Sequence, residues 1–94
     1  MTKVVLDIPR EDGPVWFDVV NHAGDKTVCG MVSTVCNMLV VMLGEYGEAP
    51  EIYEEGHFRF DIEYSKPEYN IMFYSAIKLL KALETLYPQH VKVN

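Results

Sequence analysis

The sequence predicts an α+β fold, a single two-layer domain over residues 1–94 in which two helices pack on a mixed sheet. Segments rich in β-branched and aromatic residues predict the strands, and two long segments with apolar residues at helical spacing predict the helices. Glycine and proline turn signals separate these segments and give the order ββαββαβ. Strands and helices in this order, in a chain of 94 residues, are typical of one domain with one core.

The first half of the chain predicts a hairpin followed by a buried helix. Residues 2–8 and 15–21 have the composition of strands, and the segment 9–14 between them carries proline and glycine turn signals. Apolar residues recur at helical spacing over residues 28–44, with Thr27 as the expected N-cap. Because these apolar positions spread beyond a narrow stripe, we expect this helix to be buried on more than one side.

The second half predicts another hairpin, a helix and a last strand. Residues 50–55 and 57–64 lie on either side of a glycine and have strand character. Ser65 and Glu68 have the spacing of a capping box, with Pro67 in the first turn of a helix that runs to Pro88. A short strand over residues 90–94 completes the order.

Composition narrows the classes of partner. Eight basic against fourteen acidic residues give a formal net charge of −6, which disfavours nucleic acid and anionic membranes, because binding to phosphates requires clustered cations. A protein or peptide partner is favoured instead. A domain this short buries a modest fraction of its surface, so a homodimer is also expected to be available to it.

The cysteines and the N-terminus predict a cytoplasmic protein without metal or cofactor. The first residues lack a signal-peptide pattern, and the longest apolar stretch, residues 38–43, is far below the roughly 20 residues that span a bilayer. Cys29 and Cys36 lie in one predicted helix with Cα atoms ~10 Å apart, too far for a disulfide, so reduced thiols are expected. The chain has no C-x-x-C pair, and its three histidines are scattered.

Residues 21–30 carry the candidate chemistry, because they lead from a strand end through a short loop into a helix. With Thr27 as N-cap, Cys29 lies in the first turn, where unpaired N–H groups favour a thiolate and can bind an oxyanion. His22 is close enough along the chain to share the thiol proton. From spacing alone, the simpler interpretation is a small core cysteine and a polar histidine at a strand end.

This segment resembles the ribosomal-processing cysteine protease family Prp, whose members carry Gly-His-Ala, a flexible glycine-containing loop and Val-Cys-Ala-x-x-Ser at a helix start. The matching residues here are His22-Ala23-Gly24 and Val28-Cys29-Gly30-Met31-Val32-Ser33, and the order of elements is similar along the whole chain. The resemblance implies that Cys29 is the nucleophile and His22 its partner. It further implies a dimeric enzyme that removes an N-terminal extension from a large-subunit ribosomal protein.

Four residues around this dyad are candidates for the substrate and oxyanion site: Gly24, Asp25, Gly30 and Ser33. Gly30 has no side chain, so a substrate backbone could approach the helix start closely. Ser33 lies one turn after Cys29 and either lines the site or bonds back to the helix backbone. Asp25 has three possible roles: it orients His22, caps the helix, or is a solvated loop acid.

The chain also departs from the family pattern. Asn21 stands where the family has glycine, the loop between histidine and cysteine is shorter, and Lys26 occupies the place of an acidic residue. The short loop leaves the substrate open between a ribosomal protein and a phage capsid or scaffold protein. The alternative is a catalytically inactive module for binding or assembly. A thiol redox role is disfavoured because no resolving cysteine lies within reach of Cys29.

The remaining polar residues are expected to be structural or solvated. His57 begins a predicted strand and is assigned a structural role, and His90 is expected to be exposed near the C-terminus. Glu54 and Glu55 are expected to be solvated charges and not an acid/base pair.

Overall fold

The structure is a computed structural model that describes residues 1–7 and 14–94, and it has the predicted ββαββαβ order. The strands and helices are β1 (Thr2–Asp7), β2 (Val15–Val20), α1 (Lys26–Gly44), β3 (Ile52–Glu54), β4 (His57–Ile62), α2 (Pro67–Leu86) and β5 (Val91–Val93). The turn predicted over residues 9–14 lies outside the described residues, apart from Pro14, and so does Ile8.

The five strands form one mixed sheet in the order β3-β4-β2-β1-β5, as predicted. All neighbours are antiparallel except β1 and β5, which run parallel. Strand β2 is central, and its last residue, Val20, pairs with His57 at the start of β4. This register brings the chain that leaves β2 beside the turn between β3 and β4.

One face of the sheet packs against both helices, and among residues 1–7 and 14–94 no helix covers the other face. Phe17 and Phe60 point toward the helices and are fully buried with Phe73 of α2, whose ring lies 5.7 Å and 5.9 Å from theirs. The outer face, as we call the opposite side, carries Trp16 under the Arg59 guanidinium at 5.1 Å. Alternation along β2 and β4 therefore separates an aromatic core from a charged surface.

Helix α1 has the length and apolar composition of a membrane-crossing helix, since it contains an 18-residue window with a mean hydropathy of 1.8. The longest uninterrupted apolar stretch, residues 38–43, is much shorter than the apolar helix that contains it. A core helix has the same properties, so the observation is weak support for a membrane span. In the structure α1 buries Val28, Val35, Leu39 and Leu43 within the same core as the sheet and α2.

The N-cap of α1 is Asp25 and not Thr27 as predicted, and capping is one of the three roles considered for Asp25. Helix α1 begins at Lys26, and the Asp25 carboxylate accepts hydrogen bonds from the N–H groups of Thr27 at 2.9 Å and Val28 at 3.1 Å. The cap lies earlier than predicted because Gly24 turns the chain at φ +85°, which makes Asp25 the last extended residue. The Asp25 carboxylate thus satisfies the second and third N–H groups of the helix, as an N-cap side chain does.

Helix α2 has Pro67 in its first turn as predicted, but it begins at Pro67 itself and has no capping box. Its N-cap is Lys66, and no side chain caps the helix. Ser65 is buried, and its hydroxyl bonds to the Asn70 side chain instead of a backbone N–H. Proline at the first helical position has no N–H to satisfy, which reduces the need for a side-chain cap.

Replacing Asp25 with alanine should lower the free energy of unfolding by about 1 kcal/mol, because two N–H groups of α1 lose their acceptor. Urea unfolding of the wild type and Asp25→Ala measures this loss. Asp25→Asn keeps a side-chain oxygen and is the matched control, with a smaller expected loss. Equal losses in both variants would mean that charge, not capping, is what Asp25 supplies.

Candidate functional site

A cleft of about 470 Å³ lies between the N-terminal half of α1 and the β3–β4 hairpin, and we call it the α1 cleft. The end of β2 and the residues after it close one side. Helix α1 lines the cleft with Cys29, Gly30, Val32, Ser33, Cys36 and Asn37, and the hairpin lines it with residues 53–58. Both members of the predicted dyad, Cys29 and His22, are among the lining residues.

Cys29 is half-buried and lies one turn after the start of α1. It is therefore not among the first residues of the helix, whose N–H groups lack partners within the helix. Its own N–H donates to the Asp25 carbonyl at 2.9 Å, because the helix starts earlier than predicted. The N–H groups of Thr27 and Val28 are occupied by the Asp25 carboxylate. The structure thus gives no support to the expected oxyanion role of the N–H groups at the start of this helix.

The Cys29 sulfur has a different backbone donor. The N–H of Ala23 donates to Cys29 Sγ at 3.2 Å, across the short loop that precedes α1. Ala23 is 2% exposed, so the donor is buried, whereas the half-buried sulfur borders the α1 cleft. A backbone N–H directed at sulfur stabilises a thiolate more than a thiol, because a hydrogen bond to an ionised acceptor is stronger.

His22 follows β2 after a residue with left-handed backbone. Asn21 has φ +70°, a conformation that glycine adopts freely and that asparagine tolerates better than most residues. Asparagine at position 21, where the Prp pattern has glycine, therefore still adopts the left-handed backbone. The N–H of Asn21 donates to the Gly56 carbonyl at 2.8 Å, and its carbonyl accepts the Thr2 hydroxyl at 3.0 Å.

The His22 ring lies over Gly56 in the turn between β3 and β4. A Cβ atom on Gly56 would lie 3.2 Å from His22 Nε2, closer than an ordinary contact, and Gly56 itself has φ +81°. No hydrogen bond joins His22 to Cys29 among the bonds described for residues 1–7 and 14–94. Catalytic hydrogen bonds are often long without substrate and tighten when it binds, so this geometry is compatible with a dyad.

The other four predicted site residues divide into two pairs. Gly30 and Ser33 line the α1 cleft, and the space where a Gly30 side chain would lie is empty to 4 Å. In the part of the chain that the structure describes, the Ser33 hydroxyl has no partner, whereas Thr34 bonds back to the Gly30 carbonyl at 2.8 Å. Gly24 and Asp25 do not line the cleft. They shape the loop and cap α1 instead.

A hydrogen bond between Tyr53 and Asn37 crosses the cleft and was not predicted from the sequence. The Tyr53 hydroxyl of β3 donates to Asn37 Oδ1 of α1, and the Tyr53 ring packs edge-on against Phe58 with centroids 5.6 Å apart. Asn37 follows Cys29 and Ser33 at a spacing of four residues, which places all three on one helix face. That spacing is the signal that would have identified Asn37.

Cys36 lies on the floor of the cleft and differs from Cys29 in its environment. It is buried, and desolvation raises the pKa of its thiol to about 12. Both cysteines are free thiols. Cys36 is therefore an internal reference for a thiol that stays protonated.

The two remaining histidines make specific contacts. His57 borders the cleft, but its Nε2 lies 2.8 Å from Asp18 Oδ1, and Asp18 projects from the outer face between buried Phe17 and Val19. This pairing fits the structural role assigned to His57. His90 was expected to be exposed, but it is half-buried with Nδ1 2.7 Å from the Ala23 carbonyl oxygen.

The chain shares its fold with several solved structures. One of them is the ribosomal processing protease Prp from S. aureus in complex with a covalently linked product peptide. The match covers 100% of this chain and 98% of the Prp chain, with a TM-score of 0.78 and 23% sequence identity. The same protease with a substrate peptide matches with a TM-score of 0.72 and 19% identity, again over 98% of its chain. A Streptococcus mutans protein matches with a TM-score of 0.78 and 18% identity over 92% of its chain.

No protein-family model matches the chain, and no curated protein matches it in sequence. The structural similarity covers the full chain and confirms the predicted fold class, including the fold that the resemblance to Prp implies. At these identities it concerns the fold, and the chemistry has to be argued from the residues of the α1 cleft.

Replacing Gly56 with alanine should displace the His22 ring, since the added methyl group would lie 3.2 Å from Nε2. Gly47→Ala is the matched control, because Gly47 has φ +82° and nothing within 4 Å of the added methyl. Both variants should lose about 1 kcal/mol of stability through the left-handed backbone. Only Gly56→Ala should shift the NMR signals of the His22 ring, and identical spectra in both variants would contradict the placement of that ring.

Proposed function

We propose that this protein is a cysteine endopeptidase that binds a peptide segment in the α1 cleft, with Cys29 as nucleophile and His22 as general base. One observation carries the proposal. Cys29 and His22 come from different elements, yet both line one accessible cleft. The same fold occurs in a protease whose structure contains a covalently linked product peptide.

The proposed reaction follows from the chemistry of the two side chains. His22 takes the proton from the Cys29 thiol, and the sulfur attacks the peptide carbonyl to form a C–S bond. The C–N bond then breaks, and His22 returns the proton to the leaving amine. Water hydrolyses the resulting thioester, which releases the carboxylate product and regenerates the thiol.

The groups that support this reaction differ from those expected at the sequence level. The Ala23 N–H holds the sulfur before attack, at 3.2 Å. The Ser33 hydroxyl, on the same helix face as Cys29, is our candidate donor to the oxyanion, because the first N–H groups of α1 are already engaged. The empty space over Gly30 gives the substrate backbone a path along the cleft.

The substrate class is also part of this proposal. We propose removal of a short N-terminal extension from a ribosomal protein, with a phage capsid or scaffold protein as the alternative substrate. The exposed side chains of Glu54 and Glu55 at the rim of the cleft favour a peptide that carries basic residues near the cleaved bond. A cytoplasmic location and a homodimeric state, both expected from the sequence, belong to the same proposal.

A catalytically inactive binding or assembly module is the second candidate. It is favoured by the missing hydrogen bond between His22 and Cys29 in the described part of the chain, and by the short loop between them. The two candidates differ in one measurable property. A nucleophile must present a reactive thiolate that depends on His22, whereas a binding module needs none.

The alkylation of Cys29 by iodoacetamide over a range of about pH 4 to 9 tests the dyad. We expect Cys29 to react below neutral pH and His22→Ala to remove this reactivity, because only the thiolate is alkylated. Cys36, whose pKa is about 12, should stay protonated and unreactive over the whole range. Glu84→Ala is the matched control, since Glu84 bonds to the N–H of Val93 away from the α1 cleft and its loss should leave Cys29 unchanged.

If Cys29 proves as slow as Cys36 at every pH, the protease proposal is abandoned in favour of the binding module. If Cys29 reacts quickly but His22→Ala does not slow it, the nucleophile stands and the assignment of His22 is wrong.

Replacing Cys29 with alanine should abolish peptide cleavage without unfolding the domain, because a half-buried thiol contributes little to the core. The measurement is the appearance of new N-termini in a proteome-derived peptide library incubated with each protein. Cys36→Ala is the control, and it should retain cleavage because Cys36 lies on the cleft floor as a protonated thiol. Cleavage retained by Cys29→Ala would contradict the proposed mechanism.

A further inference from the structure

His90 lies in the turn between α2 and β5, yet its imidazole reaches the loop that precedes α1. Its Nδ1 is 2.7 Å from the carbonyl oxygen of Ala23, which is 67 residues away in the chain. A carbonyl oxygen only accepts hydrogen bonds, so Nδ1 must carry the proton. Position 90 thus supplies a donor to the segment between His22 and Cys29.

The backbone of His90 is itself fixed at both ends. Its N–H donates to the Tyr87 carbonyl at 2.9 Å, and its carbonyl accepts the N–H of Thr2 at 2.8 Å. These bonds tie the turn to the end of α2 and to the first strand. The backbone that carries the imidazole is therefore held by two hydrogen bonds, and the bond from Nδ1 connects the Ala23 loop to this turn.

Ala23 is held on both of its polar groups. Its carbonyl accepts from His90, and its N–H donates to Cys29 Sγ at 3.2 Å. The residues around it have left-handed backbone, at Asn21 with φ +70° and Gly24 with φ +85°, so the orientation of Ala23 is set within a tight turn. A change in the tilt of Ala23 would turn its N–H away from the sulfur.

We propose that His90 is a positioning residue for Cys29, which acts by holding Ala23 so that its N–H points at the sulfur. This inference rests on the proposed function to the extent that Cys29 is the reactive thiol. His90 does not touch the substrate or the sulfur. It stabilises the thiolate through one intervening residue, because the N–H bond to sulfur is stronger when the sulfur is charged.

The positioning role requires one particular tautomer of the His90 ring. The neutral ring must be the tautomer protonated at Nδ1, and ¹⁵N NMR of the wild-type protein distinguishes the two tautomers. We expect the Nδ1–H form. A ring protonated at Nε2 alone would overturn the proposal without any variant, because the carbonyl of Ala23 would then face no donor.

Two variants test the effect on Cys29. His90→Phe keeps a ring of similar size but has no donor, and we expect its Cys29 alkylation rate at neutral pH to fall about threefold to tenfold, the effect of one lost hydrogen bond. His90→Asn places an amide N–H one bond from Cγ, as Nδ1 is, and we expect it to restore most of the rate. The far-ultraviolet absorbance of the thiolate should follow the same order as the rates.

Glu84→Met is the matched control. Glu84 is also half-buried and bonded, but to the N–H of Val93 at 2.8 Å, and it does not line the α1 cleft, so its loss should leave the Cys29 rate unchanged. Urea unfolding of every variant separates a local effect from a loss of stability, and Cys36 must stay unreactive in each. Equal Cys29 rates in the wild type and His90→Phe would overturn the proposal, and so would equal slowing by His90→Phe and His90→Asn.

The outcome is independent of whether the protein cleaves peptides. If no cleavage is found but His90→Phe still slows Cys29, the proposed function fails and the positioning role of His90 stands. If cleavage is found and His90→Phe leaves Cys29 unchanged, the proposed function stands and the role of His90 fails.

Discussion

The pairing of β2 with β4 is the constraint on which the rest of the site depends. Val20 pairs with His57, and the N–H of Asn21 continues the ladder with a bond of 2.8 Å to the Gly56 carbonyl. The register cannot slip by one residue, since that would turn Phe17 from the core to the outer face. The aromatic core thus fixes the position of His22 over the hairpin turn, although His22 follows Phe17 by five residues in the chain.

Helix α1 supplies the other wall of the cleft, and its start decides which backbone groups are available for chemistry. An acidic N-cap satisfies two N–H groups, and the N–H of Cys29 bonds to the carbonyl of the same Asp25. A helix start with these groups unoccupied would act as an anion site. Here that property is used for capping, and the donor to the sulfur comes from Ala23 in the loop.

The segment from Asn21 to Ala23 is held by contacts from three separate parts of the chain. Asn21 bonds to Gly56 of the hairpin at 2.8 Å and to Thr2 of β1 at 3.0 Å, and Ala23 bonds to His90 before β5 at 2.7 Å. A long loop would have to order itself around a ligand, and that ordering costs conformational entropy. Here the fold itself supplies the contacts that orient the Ala23 N–H toward the Cys29 sulfur.

The outer face of the sheet has a different character from the cleft. Asp18, Arg59 and Asp61 form ion pairs there, and hydrogen bonding to the Arg59 guanidinium lowers the pKa of the Asp61 carboxyl. His57 belongs to this network through its contact with Asp18. The strand alternation that buries Phe58 places the neighbouring His57 beside Asp18, whereas His22 lies beyond the end of β2 and over Gly56.

Periodicity and turn residues in the sequence determined the order of elements, the mixed two-layer architecture and the position of the candidate cysteine–histidine segment. These are local properties, because apolar spacing and glycine or proline turns act over a few residues. The resemblance to Prp added the prediction that Cys29 and His22 act as a pair. Asn21 has the left-handed backbone that glycine would provide.

Only the tertiary structure decided which groups meet. The turn at Gly24 makes Asp25 the N-cap of α1 instead of Thr27, so Cys29 lies two residues further into its helix than predicted. The contact of His90 with Ala23 joins residues 67 positions apart, and the contact of Tyr53 with Asn37 crosses the cleft. No local pattern encodes such contacts, because they arise when the parallel pairing of β5 with β1 and the register of β2 with β4 bring distant turns to one end of the sheet.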